Sequence, residues 1–320
     1  LARDRTGMRP VFYTMARGRL LFASEAKALF ALSEVPRRLN RRALSEIFTF
    51  WSPLAPATVF EGIEALPPGH LMMVEDGRVR IRRYWDWSFP ETPRTDSRSG
   101  ESYAEELREL LIDAVRLQLR ADVPVGAYLS GGLDSSIVTS VIKNFTDVPL
   151  RTFSVSFEDA EFDESSHQQE LVQYLGTHHT QVLCTKEDIS AAFPKTVWHT
   201  ESAILRTAPT PLMLLSGKVR EEGYKVVLTG EGADEVFGGY DIFKEAKVRR
   251  FCARFPESTM RPRILERLYP YLKHSPTAAR AFTQRFFSQG MEHKNEPFYG
   301  HIPRWSTTRR IWQFFSGDTQ

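Results

Sequence analysis

The sequence predicts an α/β protein in which a parallel sheet with helices on both faces is preceded by a smaller β-rich region. Two observations support this fold class. After Pro124, short apolar runs of strand length alternate with amphipathic runs of helix length, which is typical of parallel strands joined by helices. Before residue 86, strand-like runs are separated by turn residues instead.

The β-rich region is predicted to contain two hairpins. Residues 9–24 suggest two strands that meet at Arg17-Gly18, and residues 69–85 suggest two more around the turn Glu75-Asp76-Gly77. A short helix is expected over residues 25–32.

A change of composition indicates a domain boundary. Between Ser88 and Glu101 the chain is rich in Pro, Thr, Ser, Arg and Gly and poor in apolar residues, which is typical of a linker. We predict a first domain of residues 1–90, a linker of 91–101 and a second domain of 102–320. The second domain is expected to open with a helix whose apolar face comprises Tyr103, Leu107, Leu110, Leu111, Ala114 and Leu117.

The second domain is predicted to contain four strands, and open sheets of this kind bind ligands where their strands end. The expected strands cover residues 125–129, 150–157, 179–183 and 225–229, and helices are expected at 134–144, at 163–175 and within 187–222.

The composition of the chain argues against several classes of protein. The chain has 42 Lys and Arg against 40 Asp and Glu, and its net charge of +2 argues against a nucleic-acid partner. Two cysteines are too few for a disulfide framework. No apolar run reaches about 18 residues and no signal peptide is evident, so we expect no membrane partner and a cytoplasmic protein.

The stretch from Ala127 to Ser136 combines a buried strand, a glycine-rich turn and a helix start. Gly131 and Gly132 lack a Cβ, so several backbone N–H groups can approach one anion there. Asp134 or Ser135 is expected to cap the helix, whose positive end adds to the attraction. The stretch therefore predicts a phosphate-binding loop, with an ordinary strand-to-helix turn as the structural alternative.

Two other functional loops do not fit this stretch. A Walker loop requires a lysine directly after its last glycine, where this chain has Leu133. The turn of a serine hydrolase requires a glycine two residues before Ser130, where Tyr128 stands.

A second glycine-rich loop follows the last predicted strand, from Gly230 to Tyr240. It has three carboxylates among four glycines, and Glu235 replaces the third glycine of a dinucleotide fingerprint. A solvated acidic turn is the alternative. Because Asp134 and Asp234 each follow a strand, and these strands could be neighbours, a Mg²⁺ site between the two loops is expected.

Ser-Gly-Gly-Leu-Asp-Ser-Ser at residues 130–136 and Thr-Gly-Glu-Gly-Ala-Asp-Glu-Val-Phe-Gly-Gly-Tyr at 229–240 together resemble glutamine-hydrolysing asparagine synthetase. The likeness extends upstream and covers about residues 1 to 250. It includes Arg3 to Pro10, Phe22 to Leu29, Leu66 to His70 and Tyr84-Trp85. The resemblance implies an ATP-pyrophosphatase fold of the adenine-nucleotide α-hydrolase type, preceded by the β-rich end of an N-terminal-nucleophile amidotransferase domain.

The resemblance also implies roles for individual residues. Glu231 would serve the adenylated intermediate, and Phe162-Asp163-Glu164 resembles a segment near the nucleotide, although Asp163 could equally be only a helix cap. Magnesium would be held by Asp134 and Asp234. ATP and its pyrophosphate would contact Leu129, Ser130, Gly131, Gly132, Asp134, Ser135, Ser136, Val155, Thr229 and Gly230.

Departures from the family limit what the resemblance implies. Neither Cys184 nor Cys252 can be the amino-terminal nucleophile of the glutaminase, so we expect this chain to be a piece of a longer enzyme. Many members have Asp-Glu-Pro where this chain has Glu201-Ser202-Ala203, followed by Arg206. We expect Arg206 to bind the carboxylate of the acid substrate or to pair with Glu201.

The activity expected from this resemblance is an ATP-dependent, amide-forming ligase that uses ATP and Mg²⁺. Aspartate would be adenylated on its side chain, and ammonia, made from glutamine in the whole enzyme, would displace AMP to give asparagine. A homodimer is compatible with this expectation. The alternatives are a synthetase that adenylates another carboxylate, such as one forming a β-lactam or a peptide ring, and a non-catalytic nucleotide-binding paralogue.

Overall fold

A computed structural model describes residues 1–89, 97–159, 161, 163–269 and 285–315. Residues 91–96 of the predicted linker lie outside the described residues. The chain forms two compact units, of which unit one comprises residues 1–85 and 234–320 and unit two comprises residues 86–233. Among the described residues, no helix has both the length and the apolar character that a membrane span requires.

The first part of unit one contains the two predicted hairpins. Strands β1 (Phe12–Ala16), β2 (Arg19–Ala23) and β3 (Glu64–Ala65) form an antiparallel sheet in the order β2-β1-β3. Strands β4 (His70–Glu75) and β5 (Arg78–Arg83) form the second hairpin. Both two-residue turns have positive φ angles, at Arg17-Gly18 and Asp76-Gly77, which suits the right-handed twist of hairpin strands.

Two helices accompany these strands. Helix α1 (Ala26–Leu29) is the short helix expected from the sequence. Helix α2 (Arg41–Phe50) was not predicted; it begins at Asn40, whose side chain accepts a hydrogen bond from the Ala43 N–H, and buries Ala43 and Ile47.

Unit two is built on a four-stranded parallel sheet. Its strands are β6 (Val125–Tyr128), β7 (Arg151–Phe157), β8 (His178–Cys184) and β9 (Val226–Leu228), in the order β8-β7-β6-β9. Its helices are α3 (Gly100–Gln118), α4 (Leu133–Phe145), α5 (Ser165–Leu175), α6 (Lys186–Thr200) and α7 (Pro209–Glu221). The predicted α/β class and the predicted strands are confirmed.

Helices cover both faces of this sheet. Successive strand residues point to opposite faces, and apolar side chains on each face pack against helices. Ala127 packs in one apolar cluster with residues of α3 and α4. The next residue, Tyr128, and Phe153 of β7 pack against Leu215 and Val219 of α7. The carboxyl ends of β6, β7 and β9 meet at one edge of the sheet, since these strands are parallel.

The second part of unit one is mostly helical. It contains α8 (Ala233–Phe237), which begins at the last residue of unit two, then α9 (Asp241–Ala253) and α10 (Ile302–Thr308). Short 3₁₀ helices cover Arg261–Arg267, Met291–His293, Pro297–His301 and Arg309–Phe314. Within unit one, Trp305 of α10 packs edge-on against Phe50 of α2, with ring centroids 4.9 Å apart.

Candidate functional site

The predicted phosphate-binding loop lies at the carboxyl end of β6 and leads directly into α4. The helix begins at Leu133, and its N-cap is Gly132 (φ −76°, ψ 165°), with no side-chain cap. The expectation that Asp134 or Ser135 caps the helix is therefore wrong. The helix starts one residue earlier than predicted, so both residues already lie in its first turn.

Serine side chains stabilise the loop through hydrogen bonds to its own backbone. The Ser135 hydroxyl accepts from the Ser130 N–H at 3.2 Å and donates to the Gly132 carbonyl at 3.1 Å. The Ser136 hydroxyl donates to the same carbonyl at 2.7 Å, and the Gly132 N–H donates to the Ser130 hydroxyl at 3.2 Å. These bonds hold Ser130 to Ser136 in one compact turn.

Several backbone donors in this turn are left without acceptors. Among the described residues, no atom accepts a hydrogen bond from the N–H groups of Gly131, Leu133, Asp134 or Ser135. The last three are the donors that the first turn of any helix leaves unpaired. Together with the positive end of the helix dipole, they form a site suited to an anion such as a phosphate.

Two glycines make this turn sterically feasible. Gly131 has a φ of 88°, in the left-handed region, and a Cβ there would lie 3.3 Å from the Glu164 carbonyl oxygen. A Cβ on Gly230 would lie 2.8 Å from the Asp134 Cβ and from the Ser135 nitrogen. The second loop therefore packs backbone to backbone against the first turn of α4.

The strands that precede the two loops are neighbours, as expected. Strand β6 pairs with β9, with Ala127 opposite Leu228, which leaves Thr229 and Gly230 beside the start of α4. Glu231 is exposed, and its N–H donates to the Thr229 hydroxyl at 3.4 Å. A carboxylate in this position is open to solvent and to a ligand.

Asp234 belongs to unit one and is described with it. A Cβ on Gly239 would lie 2.0 Å from the Asp234 Oδ1, and the Gly239 N–H donates to the Asp234 carbonyl at 3.0 Å. Gly239 is thus required for the half-buried carboxylate of Asp234 to adopt its position. Among the described residues, no group of three or more His, Cys, Asp or Glu side chains could hold a metal ion.

Leu129 and Val155, two of the residues expected to contact the adenylate group, differ in the solvent exposure of their side chains. Leu129 is completely buried, and its N–H donates to the Phe153 carbonyl at 2.9 Å, which extends the β6–β7 ladder by one residue. Its main chain, rather than its side chain, is therefore at the sheet edge. Val155 is half-buried on β7, and its carbonyl accepts a hydrogen bond from Gln168.

Two further candidates lie on loops of unit two. The Asp163 carboxylate accepts from the Phe157 N–H at 3.2 Å and from the Ser165 hydroxyl at 2.5 Å, and these bonds, the Ser165 bond first, lower the pKa of Asp163. Asp163 thus joins the end of β7 to α5, although the N-cap is Glu164, and Phe162 lies outside the described residues. Arg206 is exposed between α6 and α7.

Gln168 is a residue of this region that the sequence analysis did not select. Gln168 is polar, yet only 2% of it is exposed. It lies on the same face of α5 as Val172, four residues later, and Leu175, seven residues later. Its Nε2 donates to the Ser130 and Val155 carbonyls, at 3.2 and 3.1 Å. A polar residue at an apolar helical position was the signal that could have identified it.

Comparison with known families gives two matches. The asparagine synthase family matches residues 106–318, and the glutamine amidotransferase domain family matches residues 1–85. The first match includes both glycine-rich loops, and the second ends at Trp85.

Individual relatives carry two different names. Asparagine synthetase [glutamine-hydrolyzing] 1 of Bacillus subtilis is 33% identical over 256 residues, which are 80% of this chain and 39% of the relative. Amidase chyE of Penicillium rubens is 34% identical over an alignment of 258 positions that covers 76% of this chain and 38% of the relative. The chain thus spans about two fifths of the length of these relatives.

Among solved structures, an NH3-dependent NAD synthetase from Campylobacter jejuni aligns with a TM-score of 0.32 and 15% identity, over 42% of this chain and 60% of that one. The two glycine-rich loops and the family match over residues 106–318 lead to one conclusion. The chain belongs to the asparagine synthase family.

Proposed function

We propose that this chain provides the ATP-using site of an amide-forming ligase, which adenylates a carboxylic acid and transfers the acyl group to ammonia. The observation that carries this proposal is the set of unpaired N–H groups at the start of α4, against which Gly230 packs backbone to backbone. A polyanionic leaving group such as pyrophosphate is stabilised by backbone donors of this kind.

Each residue expected at the site has a role in this proposal. Ser130, Gly131, Gly132, Ser135 and Ser136 form the pyrophosphate-binding turn. The adenylate group lies at the sheet edge formed by Leu129, Val155, Thr229 and Gly230.

Asp134 and Asp234 would supply carboxylate oxygens to Mg²⁺. Two carboxylates fit this ion, which usually takes one or two protein carboxylates together with phosphate oxygens and water. When bound, Mg²⁺ neutralises negative charge on the phosphates.

The reaction needs little covalent chemistry from the protein. An oxygen of the substrate carboxylate attacks the α-phosphorus of ATP, the bond from that phosphorus to the β-phosphate oxygen breaks, and pyrophosphate leaves. Ammonia then attacks the acyl carbon with its lone pair, and AMP departs. Glu231, exposed beside the start of α4, would accept the proton that the attacking nitrogen must lose.

Aspartate is the acid substrate that we propose, with Arg206 binding one of its carboxylates. Support comes from the relative of Bacillus subtilis named asparagine synthetase, which is 33% identical to this chain. In the whole protein, ammonia would come from glutamine, since residues 1–85 match an amidotransferase family.

A second candidate is a synthetase that adenylates a different carboxylate. It is favoured by a relative named amidase at 34% identity and by Glu201-Ser202-Ala203, which departs from the Asp-Glu-Pro of many members. A non-catalytic paralogue is disfavoured because Asp134, Glu231 and Asp234 are all present.

Isotope exchange between pyrophosphate and ATP tests these proposals. Exchange that requires aspartate and Mg²⁺ supports the ligase, exchange with another acid alone supports the second candidate, and no exchange with any acid contradicts both. Asp134→Asn is expected to reduce magnesium-dependent exchange at least about tenfold, because a neutral amide binds the cation poorly. Unchanged exchange in that variant would remove Asp134 from the metal site.

A further inference from the structure

The side chain of Gln168 connects the phosphate-binding turn to the interior of unit two. Both of its donor bonds end on carbonyl oxygens, those of Ser130 and Val155. Its Oε1 accepts from the Ser154 hydroxyl at 2.7 Å and from Gln181 Nε2 at 3.1 Å. All hydrogen-bonding positions of this buried amide are therefore used, with two bonds on each side.

The direction of these bonds follows from the acceptors alone. A carbonyl oxygen can only accept, so the NH₂ group of Gln168 must face Ser130 and Val155, and its oxygen must face Ser154. The Ser154 hydroxyl then donates its one hydrogen to Gln168. His179 Nε2, 3.0 Å from the Ser154 oxygen, must carry a hydrogen and donate it.

The other nitrogen of His179 completes the chain of bonds. Nδ1 lies 2.9 Å from the Thr152 hydroxyl and, in the neutral ring, accepts its hydrogen. Burial lowers the pKa of His179, which favours this neutral form. The orientation that the two carbonyls impose on Gln168 is thus supported by Ser154, His179 and Thr152 on two adjacent strands.

The bond to the Ser130 carbonyl affects the phosphate site through the peptide plane. The C=O and N–H of a trans peptide point in opposite directions, so fixing the Ser130 oxygen on Gln168 aims the Gly131 N–H away from α5. That N–H is one of the donors that have no acceptor among the described residues.

From this geometry, and resting on the proposed nucleotide-binding function, we propose that Gln168 is a positioning residue that preorganises the Gly131 N–H for the phosphates of ATP. It acts through the backbone of Ser130 and does not itself contact the reacting atoms. Without it, the Ser130–Gly131 peptide would have to be ordered at a cost when the nucleotide binds.

Three variants of the 320-residue chain test this role. Gln168→Met removes both donors at similar volume. Ser154→Ala removes one bond that orients Gln168 and is the milder change. Gln181→Met is the matched control, because Gln181 bonds the same Oε1 but neither loop carbonyl.

The first measurement needs no ligand. Hydrogen–deuterium exchange of the hydrogen-bonded amides of Ser130 and Gly132, within the peptide covering residues 129–136, is expected to accelerate about tenfold in Gln168→Met and about threefold in Ser154→Ala, and to change less than twofold in Gln181→Met. Equal exchange in Gln168→Met and Gln181→Met would overturn the positioning role, and should Gln168→Met not fold, unchanged exchange in Ser154→Ala would do so.

The second measurement separates this proposal from the function itself. In pyrophosphate exchange, Gln168→Met is expected to raise the KM for ATP about tenfold and to leave the KM for the acid within twofold. Equal changes in both KM values would indicate a merely structural role. If the unaltered chain shows neither exchange nor calorimetric binding of MgATP, the proposed function fails, whereas the ligand-free experiment still decides whether Gln168 orders the turn.

Discussion

Two buried polar clusters, one in each unit, differ in where their hydrogen bonds end. In unit one, Glu245 is 0% exposed and accepts two bonds from Arg304, at 3.0 and 2.7 Å, and one from Tyr269. Arg249 is 1% exposed and donates to the carbonyls of Phe287, Gln289 and Tyr299. We refer to Glu245, Arg249, Tyr269 and Arg304 as the Glu245 cluster.

The Glu245 cluster connects α9 to the segments around residues 269, 287 and 304. Its one carboxylate lies 2.7 Å from the Arg304 guanidinium and 3.9 Å from that of Arg249. Burial and the bond to Glu245 raise the pKa of Tyr269, so its hydroxyl stays protonated and donates. In unit two, the bonds through Gln168 are neutral and lead to a turn with unpaired donors. Fully satisfied buried networks rigidify a fold, and we expect the Gln168 bonds to rigidify the proposed binding turn in the same way.

This comparison predicts that changes near the turn affect activity and that changes in the Glu245 cluster affect stability. The largest effect is expected for Glu231→Gln, which should reduce amide formation by about 10² to 10⁴, because glutamine cannot accept the proton from the attacking nitrogen. ATP binding and the thermal midpoint should not change.

Rapid-quench assays of amide formation, together with pyrophosphate exchange, check this prediction. Surviving exchange would assign Glu231 to the ammonia step, and loss of both would assign it to adenylation. Full amide synthesis in the variant would contradict any catalytic role.

Glu245→Ala should destabilise unit one by about 3–5 kcal/mol, because it leaves the Arg249 and Arg304 charges without their carboxylate. Urea denaturation, followed by hydrogen exchange in α9, measures this loss. Glu105→Ala is the control: it removes an exposed pair with Arg108 and should cost less than about 1 kcal/mol. Similar losses for both variants would show that burial does not distinguish these pairs.

Arg206→Ala should raise the KM for the acid substrate about tenfold and change the KM for ATP less than twofold, since a guanidinium binds a carboxylate in a bidentate manner. Steady-state kinetics with each substrate varied in turn provide the measurement. Glu201→Ala serves as the comparison, because a structural pair between Glu201 and Arg206 predicts the same kinetic change in both variants.

The smallest effect concerns acid stability. Because burial lowers the pKa of His179, the unfolded chain takes up a proton near its ordinary pKa of about 6.5 while the folded chain does not. The free energy of unfolding should therefore fall as the pH decreases below about 6.5. His179→Asn should flatten this dependence, and the exposed neighbour His178→Asn should not; the same slope in both variants, measured by denaturation at several pH values, would refute the prediction.

Much of the fold could be predicted from residues that are close together in the chain. The positive-φ turns Arg17-Gly18 and Asp76-Gly77 and the alternating strands and helices of unit two follow from residues close in the chain. The two glycine-rich loops were also recognisable, because an unhindered backbone beside a strand end needs glycine whatever the surrounding fold. Their role in catalysis stays a proposal.

Other features depended on contacts between residues far apart in sequence. Gln168 is separated by 38 residues from Ser130, and Trp51 by 257 from Thr308, to whose hydroxyl its Nε1 donates. Neither contact has a local pattern, since hydrogen-bond partners on different elements meet only after those elements pack. The sequence by itself thus determined the strands, the turns and the position of the glycine-rich loop after β6, whereas only the tertiary structure decided which buried side chain donates a hydrogen bond to that loop.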